Sequence, residues 1–437
     1  MRFSPDWLRQ RLEGLGAGDA GRLVVALSGG LDSTALLHAL CRSGSESQIL
    51  AIHINHQLHA DADRWQAHCE TVCRRLDVEL EAIPVDVDRA SPRGPEAAAR
   101  EARYAAIIER LREGDMLLSA HHRDDQAETL LLNLMRASGP LGLSGIPQSR
   151  RLGAGRLLRP LLDVPHSELR QYAENEKLDW IDDPSNTETA LDRNFLRHEV
   201  LPVMQQRWPS ATRGLARSAD LLAEASGLLD ELAVTDLAGC DPARLPIDRL
   251  ADLGDARSRN LIRYAVRQQG LPPPPSTALQ RILDELLPAR ADAQPLVVWS
   301  GAEARRYRNE LFLMAPQAPD PVPGGSLAPG GELDLGPLGR LRAEGGASRG
   351  VSPALADKGF CVRFRVGGEA LQTERADHRH SLKHLLQEAG VLPWMRSRVP
   401  LLYCDDQLVA VGDLWVEQSV VAEPGVAIRW ENRPAIT

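Results

Sequence analysis

Short apolar runs alternate with segments of helical periodicity through the first 136 residues of the chain. Runs of aliphatic residues predict strands, and apolar residues spaced three or four apart predict helices. The predicted strands are 23–27, 48–54, 78–83 and 115–119. The predicted helices are 33–42, 61–76, 95–112 and 124–136. This alternation predicts an α/β fold with a doubly wound parallel sheet.

Polar segments follow three of the predicted strands, at Ser28–Ser33, His53–His56 and Ala120–Asp125. In a doubly wound sheet, ligands bind at the carboxyl ends of the strands, near the point where the strand order reverses. We therefore expect these three segments to converge on one rim of the sheet.

The pattern changes at about residue 215, beyond which Ala- and Leu-rich sequence predicts helices alone. A stretch dense in Pro and Gly, 315–340, predicts a linker or a loop-rich connection. Strands at 360–366 and 407–411, flanking a helix at 381–389, predict a small α+β domain. We therefore expect three domains, spanning 1–215, 216–315 and 330–437.

Composition narrows the class of protein. The chain has 437 residues, of which 43% are hydrophobic and 25% charged, as is usual for a globular enzyme of two or three domains. No apolar run reaches the roughly 18 residues of a membrane span, and the N-terminus lacks the apolar core of a signal peptide. We therefore expect a soluble, cytoplasmic protein whose six scattered cysteines remain thiols.

The formal net charge of −9 excludes a protein that binds nucleic acid nonspecifically through a uniformly basic surface. A local basic groove remains compatible with this value. Lysine occurs only at 177, 358 and 383, so arginine supplies nearly all of the positive charge.

The segment Ser28-Gly29-Gly30-Leu31-Asp32-Ser33 follows the first predicted strand and opens a helix. Two adjacent glycines permit positive φ angles and a close approach to a ligand, and the helix N-terminus favours an anion. The segment lacks the lysine of a Walker A loop. It resembles instead the signature of the PP-loop ATP pyrophosphatases. A glycine-rich turn that binds nothing is the alternative.

Asp125 and Glu128 lie three residues apart at the start of the helix predicted after residue 123. They share one helical face, where they could hold a cationic amine or a metal ion. Helix capping is the alternative, with Asp124 as the N-cap residue.

Arginines in two further segments are candidates for binding phosphates. Arg100 and Arg103 share a face of an alanine-rich helix, and Arg193 and Arg197 follow a turn-rich stretch. Solvated helix-surface charge is the alternative in both cases.

Several longer motifs occur in order along the chain, and together they resemble the bacterial tRNA(Ile)-lysidine synthases. The resemblance covers the first half densely and the C-terminal region more loosely, through VLPWMRSRVPLL at 391–402. The motifs of the first half are SGGLDS (28–33), HINH (53–56), GPEAAAREARY (94–104), AHHRDDQAETLLLNLMR (120–136), GLSGI (142–146), RPLL (159–162), DDPSN (182–186) and RNFLRHEVLP (193–202).

The resemblance implies an adenine nucleotide alpha hydrolase-like N-terminal domain and an enzyme that consumes ATP with Mg2+. Such an enzyme adenylates the C2 oxygen of the wobble cytidine in a CAU-anticodon isoleucine tRNA. The side-chain amine of free lysine then displaces AMP to form lysidine. The helical and C-terminal domains would bind and recognise the tRNA, and a homodimer is left open.

The resemblance also assigns roles to particular residues. Asp32 would hold Mg2+, Ser28 and Ser33 would contact pyrophosphate, and Asp125 and Glu128 would receive the lysine amine. Arg103 would act on the nucleotide or the activated base, and Arg193 on the tRNA or the intermediate. The nucleotide-binding residues would be Ser28, Gly29, Gly30, Leu31, Asp32, Ser33 and His53.

Three alternatives compete with this interpretation. Small-molecule synthetases, such as the NAD and GMP synthetases, share the loop but would not need the additional arginine-bearing segments. A PP-loop tRNA cytidine thiolase would form the same adenylated base, but thiolases usually carry SGGKDS and a CxxC pair, which this chain lacks. A tRNA-binding protein without activity would not need Asp32, Asp125 and Glu128 together. The chain departs from the family pattern at His59 and Ala137, which affects the expected shape of the base pocket and not the reaction.

Overall fold

The computed structural model describes residues 2–437 except 19, 58, 89–93, 185–187, 291–292, 318–323 and 375–376, and it does not describe the side chains of 95–97. Residues 318–323 of the predicted linker and two residues of the DDPSN motif, Ser185 and Asn186, therefore lie outside the described residues. The chain forms two compact units, Met1–Leu229 and Asp230–Thr437. The division into three domains stays a prediction.

The first unit contains six strands and most of the helices that surround them. The strands are β1 Arg22–Ala26, β2 Gln48–Asn55, β3 Glu79–Pro84, β4 Met116–Leu118, β5 Ser149–Leu152 and β6 Gly155–Leu158. The helices are α1 Pro5–Gly14, α2 Leu31–Cys41, α3 Ala62–Leu76, α4 Pro95–Ile108, α5 Arg123–Met135, α6 Pro140–Leu143, α7 His166–Asn175, α8 Asp192–Phe195, α9 Leu201–Arg207 and α10 Ala211–Leu237, with a π-helical turn, Leu196–Val200, between α8 and α9. The last residues of α10, from Asp230 onward, belong to the second unit.

These strands form one sheet in the order β3-β2-β1-β4-β6-β5, in which every pair except β5–β6 is parallel. The predicted doubly wound parallel sheet is confirmed. The order reverses between β1 and β4, so the carboxyl ends of these two strands mark the expected ligand site.

Alternation along the strands explains why both faces of the sheet are covered by helices. Val25 and Leu118 pack into one buried cluster, and their neighbours Val24 and Leu117 pack into another on the opposite face. A strand that is buried on both faces is continuously apolar, as the run 23–27 is.

The second unit combines helices with antiparallel sheets. Its helices are α11 Ile247–Gln268, α12 Ser276–Arg281, α13 Pro353–Ala356 and α14 Leu382–Glu388, with a π-helical turn at Ile282–Leu286 and 3-10 turns at Gly336–Leu338, Pro393–Met395 and Gln418–Val420. Its strands are β7 Arg244–Pro246, β8 Leu296–Trp299, β9 Ala302–Tyr307, β10 Glu310–Met314, β11 Ser326–Leu327, β12 Glu332–Asp334, β13 Arg340–Ala347, β14 Gly350–Val351, β15 Phe360–Arg363, β16 Ala370–Leu371, β17 His380–Ser381, β18 Leu401–Cys404, β19 Gln407–Val411, β20 Trp415–Val416, β21 Val421–Ala422 and β22 Gly425–Glu431.

The sheets of this unit correct the expectation of helices alone after residue 215. Strands β7 to β10 form a four-stranded antiparallel sheet in the order β7-β10-β9-β8. Its apolar runs are only a few residues long, and a run of that length does not distinguish a strand from a buried helical segment. Two five-stranded sheets, β11-β15-β18-β19-β20 and β12-β13-β22-β14-β21, and the pair β16-β17 follow in the C-terminal part.

No helix within the described part of the chain is long and apolar enough to cross a membrane.

Candidate active site

The glycine loop after β1 is held in one conformation by its own polar groups. Ser28 Oγ lies 3.0 Å from Ser33 Oγ and accepts a hydrogen bond of 3.3 Å from the Gly30 amide. Gly29 has φ +83°, and a Cβ atom there would meet Ile181 Cδ1 at 2.8 Å and Cys69 Sγ at 3.0 Å. Glycine is therefore required at this position for backbone conformation and for space.

The other predicted nucleotide-binding residues differ in how far they reach the surface. The side chain of Leu31 packs into the core, so only its backbone faces the loop. His53 is 5% exposed, and its Nδ1 lies 2.9 Å from the Leu27 carbonyl oxygen and 3.4 Å from Cys69 Sγ. Burial lowers the pKa of His53. His53 thus lies behind the loop, in contact with the end of the strand that precedes it.

Asp32, in the first turn of α2, faces two imidazoles. Nε2 of His122 lies 3.6 Å from Asp32 Oδ2, and Nε2 of His166 lies 3.6 Å from Asp32 Oδ1. These residues, together with Glu128 and Arg197, line a cavity of about 230 Å3.

Helix α5 begins two residues earlier than capping by Asp124 would require. His122 is the N-cap residue, and its backbone amide donates a 2.8 Å hydrogen bond to Asp125 Oδ2. Asp124 Oδ2 instead accepts a 2.9 Å hydrogen bond from the His166 amide, at the start of α7. The alternative in which Asp124 caps the helix is wrong, because His122 is the N-cap residue and the Asp125 carboxylate reaches its amide.

Asp125 and Glu128 do share a helical face, and a third residue joins them. Arg197 Nε donates a 2.7 Å hydrogen bond to Glu128 Oε1, and Arg197 Nη2 reaches Glu128 Oε2 at 3.1 Å and Asp125 Oδ1 at 3.2 Å. Glu128 is fully buried. A bidentate guanidinium pair is the geometry that best compensates a carboxylate removed from water.

The two carboxylates have opposite pKa shifts. Burial raises the pKa of Glu128, and the nearby Arg197 only partly offsets this. Burial would also raise the pKa of Asp125, but the charge of His122 and the hydrogen bond from the His122 amide hold it below its usual range. One acid of the pair thus keeps its charge more firmly than the other.

The adjacent histidines also differ. Burial disfavours the charge on His122, but Asp125, Asp32 and Asp124 outweigh burial and raise the pKa of His122 to about 9. Burial lowers the pKa of His121 to about 4. His122 is therefore an imidazolium at neutral pH, and His121 is a neutral imidazole.

The two predicted arginines lie apart from this cavity. Arg103, on α4, is exposed and donates from Nε and Nη2 to His56 Nε2 at 3.3 Å each. Burial and the neighbouring Arg103 lower the pKa of His56 to about 4. Arg193 Nη2 lies 3.5 Å from Thr129 Oγ1 on α5.

Sequence reasoning missed three residues of the site, namely His122, His166 and Arg197, in the roles that the structure shows. His122 and Arg197 lie inside quoted motifs, but spacing alone does not tell which side chain of a motif turns inward. His166 follows Pro165 at the start of α7, in the segment after β6. Only the rule that ligands bind at the carboxyl ends of parallel strands could have identified it, and β6 was not predicted.

Three family models match the chain in sequence order. A PP-loop domain matches residues 7–204, a TilS substrate binding domain matches 245–312, and a TilS substrate C-terminal domain matches 360–430.

Curated relatives match over nearly the whole length. The chain is 43% identical to the tRNA(Ile)-lysidine synthase of Alkalilimnicola ehrlichii, over 98% of this chain and 97% of that protein. The corresponding protein of Xanthomonas campestris pv. campestris strain 8004 is 42% identical over 90% of each chain. That of Methylococcus capsulatus is 38% identical over 98% of this chain and 100% of its own.

Among solved structures, the U34-tRNA thiolase NcsA from Methanococcus maripaludis covers 50% of this chain and 78% of its own, at 18% identity and a TM-score of 0.43. We draw no functional argument from so distant a likeness. The full-length relatives carry the assignment instead, and by them this chain belongs to the tRNA(Ile)-lysidine synthase family.

Proposed function

We propose that this protein is an ATP-dependent carbon–nitrogen ligase that converts the wobble cytidine of a CAU-anticodon isoleucine tRNA into lysidine. The proposal rests mainly on the sequence identity of 43% between this chain and a tRNA(Ile)-lysidine synthase, over 98% of the chain. In the first step, ATP adenylates the C2 oxygen of cytidine and pyrophosphate leaves. In the second, the lysine side-chain amine attacks C2, and AMP leaves with the oxygen. We further infer a cytoplasmic location, because tRNA is the substrate.

The glycine loop suits the first step. The amides of Gly29 and Gly30 and the hydroxyls of Ser28 and Ser33 lie together at the N-terminus of α2, where an anion is stabilised. We assign the leaving pyrophosphate to these groups. Donors fixed before the reaction stabilise developing charge without reorganisation, which is the main source of catalysis in phosphoryl transfer.

Asp32 fits the Mg2+ that such a step requires. Its Oδ1 atom is buried and has no hydrogen-bond partner among the described residues, and Mg2+ prefers oxygen ligands. When bound, Mg2+ would neutralise charge on the phosphates of ATP. Asp32 is the residue that we expect to hold it.

The acid pair suits the second step. A free lysine amine has a pKa of roughly 10.4, so the enzyme must bind its ammonium form and then remove a proton. Asp125, whose pKa is lowered, would bind the ammonium, and Glu128, whose pKa is raised, would accept the proton. The amine would displace the Arg197 guanidinium from part of its contact with Glu128.

Three further residues receive supporting roles. We assign Arg103 to the nucleotide or the activated base, and Arg193 to the tRNA or the intermediate. His53, buried against Leu27 and Cys69, would hold the loop in place from behind.

The thiolase alternative needs a reactive sulfur, and the cysteines nearest the loop do not suit it. Burial raises the pKa of Cys69 to about 12 and that of Cys73 to about 11. Thiolates are the reactive form, so both side chains are inert at neutral pH. This chemistry favours the ligase.

The experiment that tests the proposal is incorporation of labelled lysine. Purified protein with ATP and Mg2+ should transfer lysine to a CAU-anticodon isoleucine tRNA and not to methionine tRNA, which carries the same anticodon. Failure of the folded protein to label the isoleucine tRNA would contradict the proposed function.

A further inference from the structure

Asp32, His122 and His166 bring one carboxylate and two imidazoles together at one end of the cavity. Each Asp32 oxygen has a histidine Nε2 atom 3.6 Å away, and one donor atom from each of the three residues lies within 4.8 Å of the others. This group is the one arrangement of three such residues that we find in the described part of the chain.

The two histidines are fixed relative to each other by two hydrogen bonds between the start of α5 and the segment that leads into α7. The Arg123 amide donates to the Val164 carbonyl oxygen at 2.9 Å, and the His166 amide donates to Asp124 Oδ2 at 2.9 Å. The same Asp124 oxygen lies 3.8 Å from His122 Nδ1. In metal sites, a carboxylate beside the ring nitrogen that does not bind the metal commonly orients an imidazole ligand.

Two buried atoms of this group have no partner among the described residues. Oδ1 of Asp32 and Nδ1 of His122 are inaccessible to solvent and accept or donate no hydrogen bond. The His122 side chain is only 4% exposed and turns its Nε2 toward Asp32. An unsatisfied buried polar atom costs stability, and an ion bound to Asp32 Oδ1 would remove that cost at this atom. Nδ1 of His122 lies on the other side of the ring, toward Asp124.

We propose that Asp32, His122 and His166 form a site for a divalent transition-metal ion of the zinc and cobalt type in the nucleotide-free protein. Two imidazoles and one carboxylate suit such ions, whereas Mg2+ prefers oxygen ligands alone. The ion would displace the proton of the His122 imidazolium, which would leave to solvent, so binding should strengthen as pH rises. Donor atoms in a tetrahedral zinc site are about 3.3 Å apart, so the three residues need to close by no more than about 1.5 Å. The same three residues line the cavity of about 230 Å3, which has room for a water molecule as a fourth ligand.

This site differs from the Mg2+ site proposed at Asp32, because two of its three ligand atoms are imidazole nitrogens and not oxygens. Binding of the metal alone requires no ATP, tRNA or lysine. The proposal therefore stands or fails independently of the proposed function.

The test is a titration of the full-length, chelator-treated protein with Co2+ in the absence of nucleotide, followed by visible absorption. We expect one equivalent to bind with the intense band of four- or five-coordinate cobalt, and 1 mM Mg2+ to leave that band in place. Absence of the band, or its loss to Mg2+, would overturn the proposal.

Variants locate the ion. Asp32→Asn and His166→Ala should each weaken Co2+ binding by more than the about 10–100-fold that loss of an outer contact costs. His166→Asp restores a donor atom, so it should recover binding with a weaker band if the site is real. An unchanged affinity in either of the first two variants would place the ion elsewhere.

A matched control removes the other histidine group of the chain. The rings of His378, His380 and His384 lie 4.3 Å and 5.8 Å apart in succession, and such a group can collect metal ions adventitiously. The protein with all three changed to alanine should keep the Co2+ band. Loss of the band in this control would show adventitious binding only and would refute the proposed site.

Discussion

Asp125 and Glu128 are three residues apart on one helix, and their surroundings nevertheless shift their pKa values in opposite directions. Asp125 accepts a backbone hydrogen bond and faces the charged His122, whereas Glu128 is more deeply buried and depends on one guanidinium. Two acids with separated pKa values are suited to different tasks, one to binding a cation and one to taking a proton.

Glu128→Gln should therefore separate the two steps of the reaction. Pyrophosphate release should stay within a few fold of the parent protein, and lysine incorporation should fall by about 100-fold or more, the usual contribution of a general base. Parallel assays of pyrophosphate and labelled lysine measure the two steps. Glu199→Gln, a change at an exposed position beyond Arg197, is the control and should affect neither. Equal loss of both steps in Glu128→Gln would refute the division of roles.

Asp32→Asn should stop the reaction earlier. An amide cannot replace a carboxylate as a ligand of Mg2+ at the phosphates, so pyrophosphate release should fall by at least about 100-fold. The thermal unfolding midpoint should fall only slightly, because Asp125 and Asp124 continue to stabilise the charge on His122 when Asp32 is neutral. Retention of pyrophosphate release would remove Asp32 from the proposed machinery.

His122 should give a direct pH signal in the metal-free protein. Its pKa is raised to about 9, so its imidazole carbon resonance should titrate near that pH, and the signals of His121 and His56 should titrate near pH 4. His122→Asn assigns the signal by its loss. A titration of His122 near its ordinary pKa of roughly 6.5 would contradict the described environment.

The same shift makes stability depend on pH. A folded pKa above the unfolded pKa means that the folded state binds the proton more tightly. The stabilisation from the His122 charge is complete below about pH 6.5 and is lost as pH rises through about 9. The free energy of unfolding should therefore fall by on the order of 3 kcal/mol over this interval, relative to His122→Asn.

At the scale of elements, the turn between β1 and α2 requires a positive φ angle at Gly29 and leaves no room there for a side chain. Gly29→Ala would place a Cβ atom 2.8 Å from Ile181 Cδ1 in a residue with φ +83°. Gly44→Ala is a matched control, because Gly44 has φ +71° and nothing within 4 Å of its Cβ position. Both variants carry the left-handed backbone cost of about 1 kcal/mol, and only Gly29→Ala adds a clash.

We therefore expect Gly29→Ala to lower the unfolding midpoint further than Gly44→Ala and to weaken ATP binding at least about tenfold. Calorimetric titration with ATP and thermal unfolding measure both quantities. If the two variants had the same unfolding midpoint and the same affinity for ATP, the close packing behind the loop would contribute neither to stability nor to ATP binding.

Most elements of the first unit were predictable, because burial of a strand or a helix face requires apolar residues at regular spacing in the sequence. The predicted strand 48–54 and helix 61–76 match β2 Gln48–Asn55 and α3 Ala62–Leu76 within a residue. The hairpin of β5 and β6 was missed, since SRRL and GRLL are too short to show a period.

The candidate site was predictable only in part, for a different reason. The glycine loop and the acid pair are local in sequence, and local spacing identifies them. The partnership of Arg197 with Glu128 joins residues 69 positions apart, and that of His166 with Asp32 joins two different helices. Such contacts depend on tertiary packing, which one sequence does not reveal.

At the scale of the whole molecule, a net charge of −9 makes a uniformly basic tRNA-binding surface untenable. Affinity for tRNA must then come from local arginine groups, and selection among tRNAs with one anticodon from contacts outside it. The family models of a TilS substrate binding domain, at 245–312, and of a TilS substrate C-terminal domain, at 360–430, both match within the second unit.

The central claim is that the loop at Ser28–Ser33 directs cleavage of ATP between its α and β phosphates to activate a nucleobase. The most direct test is product analysis with ATP labelled at the α phosphate, in the presence of Mg2+, lysine and CAU-anticodon isoleucine tRNA. The account predicts labelled AMP and unlabelled pyrophosphate, formed only when the tRNA is present. Labelled ADP with orthophosphate would contradict it.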